Sequence, residues 1–140
     1  GSIISEMEGL IVLHYEEVST HKHVKHLDPD WDRFVELEEQ GVGRTFTMRD
    51  DGQLVGYSIT FTLPHLHFKE CVVSHNESVY FHPPWRGLNA KKFFQSLIQD
   101  VRENSFSKIL TIHMKVAVPF RRLLVSLGFD LTEENWELIL

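Results

Sequence analysis

The chain has 140 residues, 42% hydrophobic and 24% charged, with a formal net charge of −6 and one cysteine. That length suits one domain with a real core, and the acidic balance gives no general nucleic-acid footprint. No apolar run reaches the length of a membrane span, and a lone Cys71 excludes an internal disulfide framework and suits a reducing, cytoplasmic compartment. Gly1-Ser2 reads as the remnant of a removed tag, which leaves 3–140 as the domain, and no leader segment is visible.

Residues 10–15 form a β-rich run and predict a first strand. Ser19 or Thr20 would cap a short helix reaching Leu27. Asp28-Pro29 predicts the next helix start, a carboxylate cap followed by proline at the first helical position. Trp31, Phe34 and Val35 share one face of that helix, and Gly41 stops it. Residues 45–49 and 54–63 read as strands. Asp50-Asp51-Gly52 between them is a hairpin signal, and Pro64 ends the second. Residues 71–74 and 78–82 read as one long strand interrupted near His75-Asn76. Phe93, Phe94, Leu97, Ile98 and Val101 recur at helical spacing, which predicts a core-facing helix from about Ala90. Residues 109–114 read as a compact apolar strand. Phe120, Leu123, Leu124 and Leu127 form a helical stripe ended by Gly128. Residues 136–140 read as a closing strand. The order β, α, α, β, β, β, α, β, α, β predicts a mixed α/β (α+β) sheet, antiparallel early and joined late by a right-handed crossover.

Residues 79–94 carry the most chemistry. An apolar run stops at Pro83-Pro84, a turn with Arg86, Gly87 and Asn89 follows, and a helix then begins. The unpaired N–H groups and dipole of a helix amino terminus make such a turn a pyrophosphate-binding device. Arg86, Lys91 and Lys92 add positive charge there. An ordinary strand–helix corner with solvated lysines is the other reading of the same residues, and the residues alone leave both open.

The element order and three local motifs together resemble the GNAT superfamily of acyl-CoA-dependent N-acetyltransferases. The motifs are Tyr-Phe-His-Pro-Pro-Trp-Arg-Gly at 80–87, Leu-Val-Gly-Tyr at 54–57 and Leu-Gly-Phe at 127–129. Pro-His-Leu-His-Phe at 64–68 and Met-Lys-Val at 114–116 resemble a branch found in tailed-phage genomes. The resemblance covers nearly the whole chain. It implies one acyl-CoA-binding domain whose fourth and fifth strands run parallel and splay apart near Phe81 and Ile112, with helices flanking the sheet. It implies acetyl transfer from acetyl-CoA to a primary amine in a ternary complex. The cofactor contacts it implies are Phe81, His82, Arg86, Gly87, Leu88, Asn89, Ala90 and Lys91, with the backbone N–H groups of Phe81 and His82 polarising the thioester carbonyl. The loop is one residue short of the family pattern, with Asn89 where glycine is usual. Leu124 stands where many members have tyrosine, and Ala117 where many have asparagine. These departures keep a second reading in play, a GNAT-fold binding or regulatory protein without turnover.

Attack requires a neutral amine, so a base is needed. Glu77 at the start of the fourth strand and the histidines His65 and His67 at the end of the third are the candidates, with His67 and Glu77 preferred as a pair. Their plainer readings are a solvated turn residue and a capped strand end. Tyr80 or His113 would supply the proton for the leaving thiolate, or serve as wall residues. Nine histidines invite a metal, but one cysteine and no zinc-like spacing argue against it. The expected acceptor is a small-molecule amine or a protein lysine. Neither a membrane nor a nucleic acid is indicated, and a homodimer stays open.

Overall fold

The computed structural model describes residues 3–140; Gly1 and Ser2, the expected tag remnant, lie outside them. The chain opens with helix α1, Ile3–Val18. The expected first strand, 10–15, lies inside this helix. Ile3, Met7, Leu10, His14 and Val18 recur every three or four residues, and Met7, Leu10 and Val18 are buried. Burial of that helical stripe overrides the local β preference.

The expected short helix before Leu27 is absent from the described residues. One turn forms there, with Val24 and Lys25 N–H both donating to the His21 carbonyl at 2.9 Å. Helix α2, Trp31–Glu39, is capped by Asp30, whose Oδ1 accepts the Arg33 N–H at 3.0 Å. The cap is therefore Asp30 rather than Asp28, because it is the Asp30 carboxylate that meets the third free N–H. Gly41, at φ 71°, then closes the helix. Its N–H donates to Glu38 and that of Val42 to Leu37, which is a Schellman end.

Strands β1, Gly43–Asp50, and β2, Gln53–Pro64, form the expected hairpin. Asp51 and Gly52 take φ of 47° and 81°, which matches the twist of a two-residue hairpin turn. Strand β3, Val72–Phe81, pairs antiparallel with β2 as one continuous strand. A 3-10 turn, Pro83–Trp85, leads to α3, Leu88–Asn104. Helix α3 crosses over to β4, Ile109–Ile112, which is parallel to β3. Helix α4, Arg121–Ser126, follows. It ends as α2 does: Gly128 takes φ 93°, and Phe129 N–H returns to the Leu124 carbonyl at 3.0 Å. Leu127-Gly128-Phe129 is therefore a helix stop.

The sheet order is β1-β2-β3-β4. The closing strand expected at 136–140 does not form. Trp136 is 85% exposed, and the segment's Glu137 is held instead by Lys25 Nζ at 2.7 Å. With the first and last expected strands gone, the expected fourth and fifth strands are β3 and β4.

Helices α1 and α2 cover one face of the sheet. There Met7, Leu10, Leu54, Tyr57, Ile59 and Tyr80 pack together, flanked by Trp31, Phe34 and Phe61. Helices α3 and α4 cover the other, where Phe81, Ala90 and Phe94 meet Phe120, Leu123 and Leu127. No helix among the described residues is long and apolar enough to cross a membrane.

Candidate active site

The parallel pairing of β3 with β4 is short. Its rungs run from Val73–Ile109 to Asn76–Ile112. Beyond Asn76, β3 continues to Phe81 with no strand on that edge among the described residues, so the sheet opens at Ile112 as expected but earlier along β3. A bulge sits at the opening. On the β2 side Ile59 opposes Ser78 and Thr60 opposes Asn76, which leaves Glu77 unpaired.

The direction of the backbone groups follows from one bond. His82 N–H donates to the Val55 carbonyl at 2.8 Å and so faces β2. Alternate residues of a strand point to opposite edges, so Val79 and Phe81 direct their N–H groups into the splay. The Phe81 carbonyl, on that same edge, accepts Arg86 Nε at 2.9 Å, as this phase requires. Of the two expected donors, Phe81 directs its N–H to this edge, whereas that of His82 is bonded within the sheet; the other N–H on the edge is that of Val79.

The splay leads directly to the start of α3. Gly87 is the N-cap at φ 82°, a left-handed conformation that side chains resist, and no atom lies within 4 Å of where its Cβ would project. The first intrahelical bond is from Lys91 N–H to the Gly87 carbonyl, so the amides of Leu88, Asn89 and Ala90 have no acceptor within the helix. Lys92 is exposed beside them. Arg86 was expected to add its charge here. It instead turns inward to Glu17 Oε2 at 2.7 Å and lies 5.6 Å from the Tyr80 ring. Arg86 thus ties the loop to α1, and its hydrogen bond holds the Glu17 carboxyl below the usual carboxylate range. Trp85 fastens the other side of the loop, donating from Nε1 to Asp50 at 2.9 Å.

The face under α1 carries the titratable groups. Tyr57 is fully buried, and its hydroxyl is 2.7 Å from His14 Nδ1. The His14 ring stacks on Tyr80, with centroids 5.0 Å apart. Burial pushes His14 down to about 4. Burial, with the Glu77 charge adding to it, pushes Tyr57 well above the ordinary phenol range. Tyr57 therefore keeps its proton and donates it to a neutral His14. Burial and then the Glu17 charge raise Tyr80 as well, so it too is held neutral.

Glu77 is exposed at the bulge, on the side that Tyr57 senses. His75 is also exposed. It lies opposite Phe61, hence on the α1 face, and its Nδ1 is 2.5 Å from Thr111 Oγ1 across the sheet. His65 and His67 are not brought to this place. They lie in the β2–β3 loop, where His65 Nδ1 accepts the His67 N–H at 3.1 Å. From Val72 beside that loop to Glu77 is roughly 16 Å of strand. The expected His67–Glu77 pair is thus separated, because β3 is one extended strand between them. His113 is exposed just beyond β4.

Sequence reasoning missed His14, Glu17, Tyr57 and His75. The alternation Tyr57, Ile59, Phe61 was the signal for Tyr57. The helical spacing of Met7, Leu10 and His14 was the signal for His14. Among the described residues no group of three or more His, Cys, Asp or Glu side chains is arranged to hold a metal ion.

No family model and no curated protein matches the chain. Solved structures do resemble it. A ribosomal-protein-alanine N-acetyltransferase from Brucella melitensis biovar Abortus 2308 superposes with TM-score 0.69 at 17% identity, over 99% of this chain and 94% of that one. A transcriptional regulator from Bacillus halodurans C-125 superposes with TM-score 0.76 at 17% identity, over 97% and 94%. A predicted acetyltransferase with acetyl-CoA from Clostridium acetobutylicum superposes with TM-score 0.66 at 16% identity, over 98% and 87%. The mixed sheet with its flanking helices is the GNAT fold.

Proposed function

We propose that this chain is an acetyltransferase that moves an acetyl group from acetyl-CoA to a primary amine, on a small molecule or on a protein lysine. The observation that carries this reading is the opening of β3 from β4 beside a free helix amino terminus. Val79 and Phe81 N–H face the opening, and the unpaired amides of α3 lie at its end. Those amides, with Lys91 and Lys92, suit a pyrophosphate. A thioester carbonyl in the opening would meet the strand N–H groups.

In the step itself the amine nitrogen attacks the thioester carbon. The C–N bond forms, the C–S bond breaks, and the developing oxyanion is stabilised by the strand N–H groups. Glu77 takes the proton of the ammonium, and the thiolate takes its proton from solvent. Tyr57 is fully buried, with its hydroxyl bonded to His14. The single free Cys71 fits a reducing compartment such as the cytoplasm.

A binding or regulatory protein of the same fold is the second reading. The inward turn of Arg86 to Glu17 favours it, because it removes one full charge from the phosphate end. Calorimetry with acetyl-CoA, followed by an acceptor screen read by mass spectrometry, separates the two. Binding with acetylated product supports the enzyme. Binding without product from any amine supports the regulator. No binding of acetyl-CoA defeats the first reading.

A further inference from the structure

We propose that Asn76 is the positioning residue that fixes the bulge, and with it the choice of which backbone N–H groups face the opening; this rests on the acyl-transfer reading above. The Asn76 side chain is 1% exposed. Its Nδ2 donates to Ser58 Oγ at 2.6 Å and is shared with the carbonyls of Ile59 and Ser78, each at 3.3 Å. Ile59 and Ser78 are the rung on one side of the bulge, and Asn76 itself belongs to the rung on the other. One amide group therefore spans the irregularity and ties the rungs on its two sides together.

The arrangement has a cost that points to its purpose. Asn76 Oδ1 is buried without a partner, and so is the hydroxyl of Thr60, its cross-strand neighbour. An unpaired acceptor in a dry core is unfavourable. An apolar residue would avoid it but would give up the hydrogen bond to Ser58 and the added contacts to the two carbonyls.

The consequence for function follows from the period of a strand. A one-residue slip exchanges the two edges and the two faces. Without the bulge, the register that pairs Val73 with Leu63 would continue unbroken through Asn76. Tyr80 would leave the α1 face, and Val79 and Phe81 would turn their N–H groups toward β2. By holding the Ser78 carbonyl on the β2 side, Asn76 keeps Val79 pointed at the thioester.

The test is Asn76→Asp, which keeps the shape and removes the donor. Wild type must show cross-strand nuclear Overhauser contacts for both the Ile59–Ser78 and Thr60–Asn76 rungs. In the variant the contacts at the bulge are expected to weaken or shift while the β1–β2 contacts stay. The turnover rate is expected to fall on the order of 100-fold, the loss typical of one oxyanion donor. The KM for acetyl-CoA and the affinity for CoA should stay within about threefold, because the pyrophosphate end is remote. Ser58→Ala, which deletes one of the three acceptors, should show a smaller loss with the same split, and it serves if the aspartate variant does not fold. Unchanged bulge contacts, or turnover and affinity falling together, overturn the proposal. If wild type transfers no acetyl group, the acyl-transfer reading fails by itself, and the bulge contacts still decide whether Asn76 sets the register.

Discussion

Glu77 and His14 are both ionisable, yet they stand in opposite surroundings. Glu77 is the exposed extra residue of the bulge, so its carboxylate is free to meet an incoming ammonium. Glu77→Gln should lower the turnover rate roughly a hundredfold to ten-thousandfold, with acetyl-CoA affinity little changed. His67→Ala, in a loop at the far end of β3, should leave the rate within about threefold. Equal rates for wild type and the glutamine variant across pH would remove Glu77 from the mechanism. His14 is a structural acceptor held neutral by burial, from an ordinary 6.5 to about 4. The unfolded chain therefore binds a proton that the folded chain refuses. Stability from this group is whole above about pH 6.5 and declines as pH falls toward 4, by up to about 3 kcal/mol. The carboxylates held low by partners, Glu6, Glu17 and Glu137, act below their ordinary 4.5. Between pH 5 and 6.5 the decline thus belongs to His14. Denaturant titrations in that window should show it in wild type, and His14→Leu should flatten it. A slope that survives the leucine would assign it elsewhere.

Helices and hairpins announced themselves where the signal was local. Gly41, Gly128 and Asp51-Gly52 were readable because each sits where the backbone must take positive φ. The α3 stripe was readable because Phe94, Leu97 and Val101 face one way and are buried. Residues 10–15 were misread because Ile11, Val12 and Leu13 favour a strand in isolation, while the helical stripe needs the whole span from Ile3 to Val18 to be seen. Residues 136–140 were misread for the converse reason: a β-favouring segment makes a strand only when an edge pairs with it. On the proposed reading, donor binding depends on the turn into α3. Gly87 takes φ 82° with open space beside it, so a side chain there strains the backbone without striking a neighbour. Gly87→Val should weaken acetyl-CoA binding at least about tenfold, near 1.4 kcal/mol, by displacing the free amides of α3. Calorimetry checks it alongside a thermal melt. An unchanged dissociation constant in a folded variant would move the pyrophosphate elsewhere.

At the scale of the whole molecule the sheet separates two tasks. In the proposed reaction the pyrophosphate sits at the start of α3, the exposed Glu77 and His75 stand on β3, and the opening between β3 and β4 joins them. The order of the central elements was legible because hairpin, long strand, helix and strand follow one another with local punctuation. The site was legible only in part. The amides of α3 lie in consecutive residues, but the meeting of His14 with Tyr57, and of Arg86 with Glu17, joins residues 43 and 69 positions apart. Spacing along the chain carries no mark of such contacts. The division of the molecule predicts the kinetic order. In the proposed reaction donor and acceptor approach the opening from different sides and fit together in one complex. Cys71, the chain's single thiol, lies at the closed end of β3, before Val72, and so away from the thioester. Transfer should therefore pass directly from thioester to amine. Initial rates with both substrates varied should give intersecting double-reciprocal lines, and the mass of the protein incubated with acetyl-CoA alone should not rise by an acetyl group. Parallel lines together with an acetylated protein that passes its group to an added amine would show a covalent intermediate and refute direct transfer.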